Sequence, residues 1–134
     1  MTGTLEHTNL TVTDPHTTAS WLCDVFGWHV RWQGDAISGG HTVHVGTPGS
    51  YLALYRPEPA PAAAKEGSNY TTIGGLNHVG ITVPELAVVE ARVKAAGFTP
   101  HSHADYEPGK RFYFHDLDGI EFKSSATPDP ARRT

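Results

Sequence analysis

Glu121 and Lys123 stand two residues apart in "HDLDGIEFKSS", residues 115–125. Asp116, Asp118 and Gly119 predict a tight turn, and the alternating residues 120–125 predict a strand. Residues two apart on a strand share a face. An acid and a base on one face are either solvated surface or the wall of a site that can move protons and hold charge. Histidine is the other suggestive residue type: the chain carries nine. Two of them, His7 in "LEHTNLTV" and His78 in "LNHVGITV", occupy the same place in matching octapeptides. Imidazoles on strands serve as acids, bases or metal ligands near neutral pH. Two alone hold a metal weakly, because protein metal sites usually supply three or four ligands.

The elements that must position these residues are repeated. Residues 5–12 and 76–83 each read as a strand of period two. After the first, Asp14 is an N-cap with Pro15 at the opening helical position. Ala19, Leu22, Cys23 and Phe26 make the predicted apolar stripe, and Gly27 closes the helix. After the second, Pro84 opens a helix with the stripe Leu86, Val89 and Val93, and Gly97 closes it. The offset is 71 residues at the strand histidines and 70 at the closing glycines, which points to a duplicated unit. Each unit continues with three strands: 28–32, 41–45 and 51–56 in the first, then 99–104, 111–116 and 120–125 in the second. The organisation predicted is unit one at 4–56, a Pro/Ala/Gly-rich linker at 57–75, unit two at 76–125 and a tail at 126–134. The fold class is α+β: two tandem βαβββ units pairing into a curled mixed-sheet cavity.

The bulk properties narrow the function. A chain of 134 residues makes one compact domain. Ten basic against fourteen acidic residues give a net charge of −4, so no nucleic-acid partner is expected. No apolar run approaches a membrane span and no signal-peptide pattern is present, so no membrane partner and a cytoplasmic location are expected. The single cysteine, Cys23, excludes a disulfide within one chain and a cysteine-based zinc site.

The duplicated octapeptides, "YLALYR" and "FYFHDLDGIEF" together resemble the vicinal oxygen chelate superfamily over residues 4 to 125. That superfamily includes glyoxalase I, extradiol dioxygenases, fosfomycin-resistance transferases and bleomycin-binding proteins. The resemblance implies the glyoxalase-like fold, a small oxygenated or anionic ligand in the cavity, a homodimer and, in many members, one divalent metal (Fe, Mn, Zn, Ni or Co). It carries His7 and His78 over as metal ligands. The ligand place on the first unit's last strand falls at Ala53, which cannot coordinate. The glutamate of the second unit's last strand usually follows the turn glycine by four residues. That place is Lys123 here, while Glu121 stands two residues early, about 6.6 Å away along a regular strand. The metal set implied is therefore His7, His78 and a displaced Glu121.

A charged lysine about 4 Å from a cation costs about 4 kcal/mol per unit charge at an effective dielectric near 20. A cavity without metal, as in the bleomycin-binding branch, is the alternative. Glu121 and Lys123 are the catalytic candidates; a desolvated lysine could also act as a base or form a Schiff base. Strand parity places His44, Asn9, Tyr55, Arg111 and Tyr113 among the ligand-binding candidates, with Thr11, Thr42 and His115 sharing the inward parity. Tyr113 is the strongest, because "FYF" resembles the fosfomycin-resistance pattern. His16, His29, His41, His101 and His103 are expected at the surface or at strand edges, with "HSH" at 101–103 offering at most an adventitious metal contact, since two histidines on one strand face are a common accident. Trp21, Trp28 and Trp32 are expected in the core or at a dimer contact. "DYEPGK", 105–110, is expected to be a loop at the cavity mouth.

Overall fold

The computed structural model describes residues 1–63, 69–106 and 109–127. Parts of the expected linker (64–68), mouth loop (107–108) and tail (128–134) lie outside the described residues. The chain divides into two compact units, Met1–Ala64 and Lys65–Thr134.

Unit one runs β1 (His7–Thr11), α1 (Pro15–Phe26), β2 (His29–Asp35), a single 3₁₀ turn, β3 (His41–Gly46) and β4 (Tyr51–Arg56). Its open sheet has the order β1-β4-β3-β2, with β1 parallel to β4 and the other pairs antiparallel. Unit two repeats the plan with β5 (Val79–Val83), α2 (Leu86–Ala95), β6 (His101–Tyr106), β7 (Gly109–His115) and β8 (Glu121–Ala126). Its order is β5-β8-β7-β6, again with the first and last strands parallel. The fold is thus α+β, two βαβββ units in tandem.

Local chemistry explains the elements. The Asp14 carboxylate accepts from the His16 amide at 3.0 Å and the Thr17 hydroxyl at 2.8 Å, which satisfies free N–H groups at the start of α1. Gly27 takes the left-handed conformation at φ 70° and donates its N–H to the Cys23 carbonyl at 2.9 Å. The buried stripe of α1 is Thr18, Ala19, Trp21, Leu22 and Val25. It is rotated from the predicted one: Cys23 and Phe26 sit half-buried at its margin, because Trp21 and Val25 take the centre. Burial pushes the Cys23 thiol up from its ordinary value. The α2 stripe is narrower, with Val89 and Val93 buried and Leu86 half-buried.

Strand alternation sorts each sheet into two faces. In unit one, Val43, Val45, Leu52 and Leu54 are buried on one face, and α1 packs against β3 and β4. In unit two, Phe112, Phe114 and Phe122 are fully buried with Val89 and Val93 of α2. Phe114 stacks between Phe98 and Phe122 at 5.8 and 5.5 Å. These rings anchor β7 and β8 on the helix side, so Tyr113, His115, Glu121 and Lys123 take the other face. The turn between β7 and β8 is held by Asp116, whose Oδ1 accepts from the Asp118 and Ile120 amides at 2.9 and 3.0 Å. Gly119 completes it at φ 77°, a conformation that a side chain would strain.

Candidate functional site

On the polar face of unit one, His7 of β1 lies opposite Tyr51 of β4. Their rings stack at 4.9 Å, and Tyr51 stacks on His44 at 4.6 Å. Trp32 meets His44 edge-on at 5.2 Å, and the Arg31 guanidinium sits 4.4 Å above the Tyr51 ring. The Glu6 carboxylate accepts from His7 Nδ1 at 2.8 Å and from the Tyr51 hydroxyl at 3.3 Å. The His7 hydrogen bond, followed by that of Tyr51, holds the Glu6 carboxyl below the usual carboxylate range. Burial, reinforced by His7 and Arg31, lowers the His44 pKa and favours its neutral form. Ala53 is buried, with Asn9 and His44 as its cross-strand neighbours. Asn9 is exposed. Tyr55 donates its hydroxyl to the Ile37 carbonyl at 2.9 Å, which ties it to the 3₁₀ turn.

On the polar face of unit two, Tyr113 lies opposite Lys123, and His115 opposite Glu121. His78 immediately precedes β5, whose Val79 pairs with Phe122 of β8. His78 meets the Tyr113 ring edge-on at 5.5 Å. Lys123 is half-buried, and its ammonium makes no hydrogen bond or ion pair among the described residues. Arg111 is buried, with its guanidinium 4.1 Å above the Tyr106 ring. The Glu121 side chain is only 10% exposed, and both its oxygens are engaged. Tyr70 donates its hydroxyl to Oε1, and His115 Nε2 lies 3.2 Å from Oε2. The carboxylate pushes the Tyr70 pKa up to about 12, mainly through that hydrogen bond.

Several of these partners are invisible in a linear reading. Tyr70 falls in the stretch that composition marks as linker. His101 opens the edge strand β6, as expected, but its ring is half-buried and stacked on His115 at 5.0 Å. The reason is a shift of register between His101 and Ala104, with Ser102 at φ 55°. Such a bulge re-aims a side chain. The residues before the strand histidines also matter. Asn77 Oδ1 lies 2.6 Å from His78 Nδ1, as Glu6 does from His7 Nδ1. An oxygen acceptor at Nδ1 favours the tautomer with its proton there, the arrangement found behind metal-ligating histidines. A signal was present, since Glu6 and Asn77 keep the repeat offset of 71.

The donor set fits the metal of the resembled family only in part. His7 and His78 each have an oxygen partner at Nδ1. The strand places that should complete the set hold Ala53, which has no donor, and Lys123, a cation.

The chain belongs to the Glyoxalase/Bleomycin resistance protein/Dioxygenase superfamily, whose family model matches residues 4–123. Among solved structures it is similar to a glyoxylase/bleomycin resistance protein/dioxygenase domain from Frankia sp. EAN1pec, with 21% identity and a TM-score of 0.78 over 94% of this chain and 98% of that one. It is similar to the fosfomycin resistance protein FosX of Listeria monocytogenes complexed with Mn(II) and sulfate, with 18% identity and a TM-score of 0.67 over 95% and 94% of the two chains. FosX of Mesorhizobium loti matches at 17% identity and a TM-score of 0.68 over 98% of each chain. At these identities the likeness establishes the fold. No curated protein sequence matches significantly.

Proposed function

We propose that the protein binds a small oxygenated anion on the polar face of the unit-two sheet. Lys123 supplies the charge, with Tyr113 opposite it in register and His78 against the Tyr113 ring. The observation that carries this reading is a half-buried lysine with no counter-charge among the described residues, opposite a tyrosine in register. A partly desolvated ammonium gains most from a bound anion. FosX, a structural neighbour, was crystallised with sulfate, which supports an anionic ligand. Glu121, with Tyr70 at Oε1 and His115 at Oε2, is proposed as the acid–base group, exchanging its proton through the His115 contact. His44, Asn9, Tyr55 and Arg111 are proposed as further ligand contacts, although the Tyr55 hydroxyl and the Arg111 guanidinium already have protein partners.

The test is a thermal-shift and calorimetric screen of small carboxylates, phosphates and phosphonates. A binder should stabilise the wild type by RT ln(1 + [L]/Kd), and Lys123→Ala should weaken it at least tenfold. Equal binding by the variant would remove the proposal.

A second reading places a divalent metal on His7, His78 and Glu121. It is favoured by the matched anchoring of the two imidazoles at Nδ1. Bound there, a metal would supply Lewis-acid stabilisation of a ligand oxyanion.

A further inference from the structure

We propose that His101, His115 and Glu121 form a divalent transition-metal site built by unit two alone, distinct from a set that needs His7 and His78. One ligand atom from each of the three side chains lies within 4.8 Å of the other two. His101 Nε2 is 3.1 Å from His115 Nδ1, and His115 Nε2 is 3.2 Å from Glu121 Oε2. Zinc bonds nitrogen and oxygen at about 2.0–2.2 Å, so two donors of a tetrahedral ion stand about 3.4 Å apart. The three side chains therefore need only a turn of the His115 ring and a small closure to surround one ion.

The strands place each donor for a local reason. β7 and β8 set His115 directly across from Glu121, and the bulge at Ser102 swings His101 onto the same face. Two of the three donors are also anchored from behind. Ser102 Oγ lies 2.9 Å from His101 Nδ1. A hydroxyl can accept as well as donate; accepting from Nδ1–H, it backs the tautomer that leaves His101 Nε2 for metal. The Tyr70 hydroxyl binds Oε1 of Glu121 and leaves Oε2 for the ion. Such backing partners orient ligands and raise affinity. The His115 side chain is 51% exposed, which gives an ion a path from solvent.

Two imidazoles and one carboxylate suit Zn²⁺, Ni²⁺ or Co²⁺ better than Mg²⁺ or Ca²⁺. Three protein donors leave a coordination position for water or a ligand oxygen. The site shares Glu121 with the second reading above and is otherwise independent of it.

The experiment is titration of the full chain, freed of metal by chelator, with Zn²⁺ followed by calorimetry and with Co²⁺ followed by its visible ligand-field spectrum. One equivalent should bind, and the Co²⁺ spectrum should be that of a four-coordinate ion. His101→Gln and His115→Gln should each weaken binding at least tenfold, with unchanged melting temperatures of the metal-free forms showing that the fold is kept. His7→Gln should leave binding intact. Loss of binding in His7→Gln with retention in His101→Gln would overturn the proposal in favour of the second reading. No uptake by the wild type, or equal uptake by all variants, would overturn it as well. Anion binding that fails with Lys123→Ala is scored separately and does not depend on either result.

Discussion

Glu121 and Lys123 share a face of β8, yet they meet opposite surroundings. Glu121 is nearly enclosed, with Tyr70 at one oxygen and His115 at the other, whereas Lys123 faces Tyr113 and makes no ion pair among the described residues. Tyr70 reports on this difference. Ionising it would place a phenolate against a carboxylate, so its proton is held up to about 12. In an ultraviolet titration one of the five tyrosines should therefore ionise last. Glu121→Gln removes the negative charge and should bring that step down towards the ordinary tyrosine value. An unchanged titration would show that Tyr70 does not bind Glu121 in solution. At this scale the sequence revealed the residue types and the shared parity of Glu121, Lys123, Tyr113 and His115. It hid Tyr70 and the pairing of His101 with His115. One contact spans 51 residues of chain, and the other depends on a bulge that period-two counting steps over.

The elements are where local rules work best. The Asp14 cap, Pro15 and Gly27 mark the ends of α1 in both sequence and structure. Asp14→Ala should cost about 1 kcal/mol of stability, measured by denaturant unfolding at neutral pH. The Thr17 hydrogen bond is the first cause of the lowered Asp14 pKa. A depressed carboxyl contributes its stability above the unfolded-state pKa and loses it as pH falls through the folded-state value. The gap between wild type and variant should therefore close in acid. A gap that persists at low pH would mean that the carboxylate is not the stabilising group. The α1 stripe was only half legible, because the helix alone does not say which residues the sheet will cover. Trp21 is buried although tryptophan on a short helix reads equally well as surface contact.

For the whole molecule, duplication was the strongest signal in the chain. The two octapeptides lead into the same strand order and the same parallel pairing of first with last strand in both units. The family match over residues 4–123 agrees with the resemblance carried by those motifs. Among the described residues no helix is long and apolar enough to cross a membrane. A homodimer remains our proposal. Sedimentation should give twice the chain mass at micromolar concentration, and a monomer throughout would remove it.

The parallel pairing of first with last strand has a consequence for biosynthesis. Neither sheet can close until its fourth strand has been made, because β1 waits for β4 and β5 waits for β8. These are long-range pairings that raise contact order and slow folding. Unit one has all its strands once Arg56 is joined. It can finish pairing while unit two is still leaving the ribosome, whereas β5 must wait exposed until β8 arrives. Pulse proteolysis of stalled nascent chains should find unit one protected first.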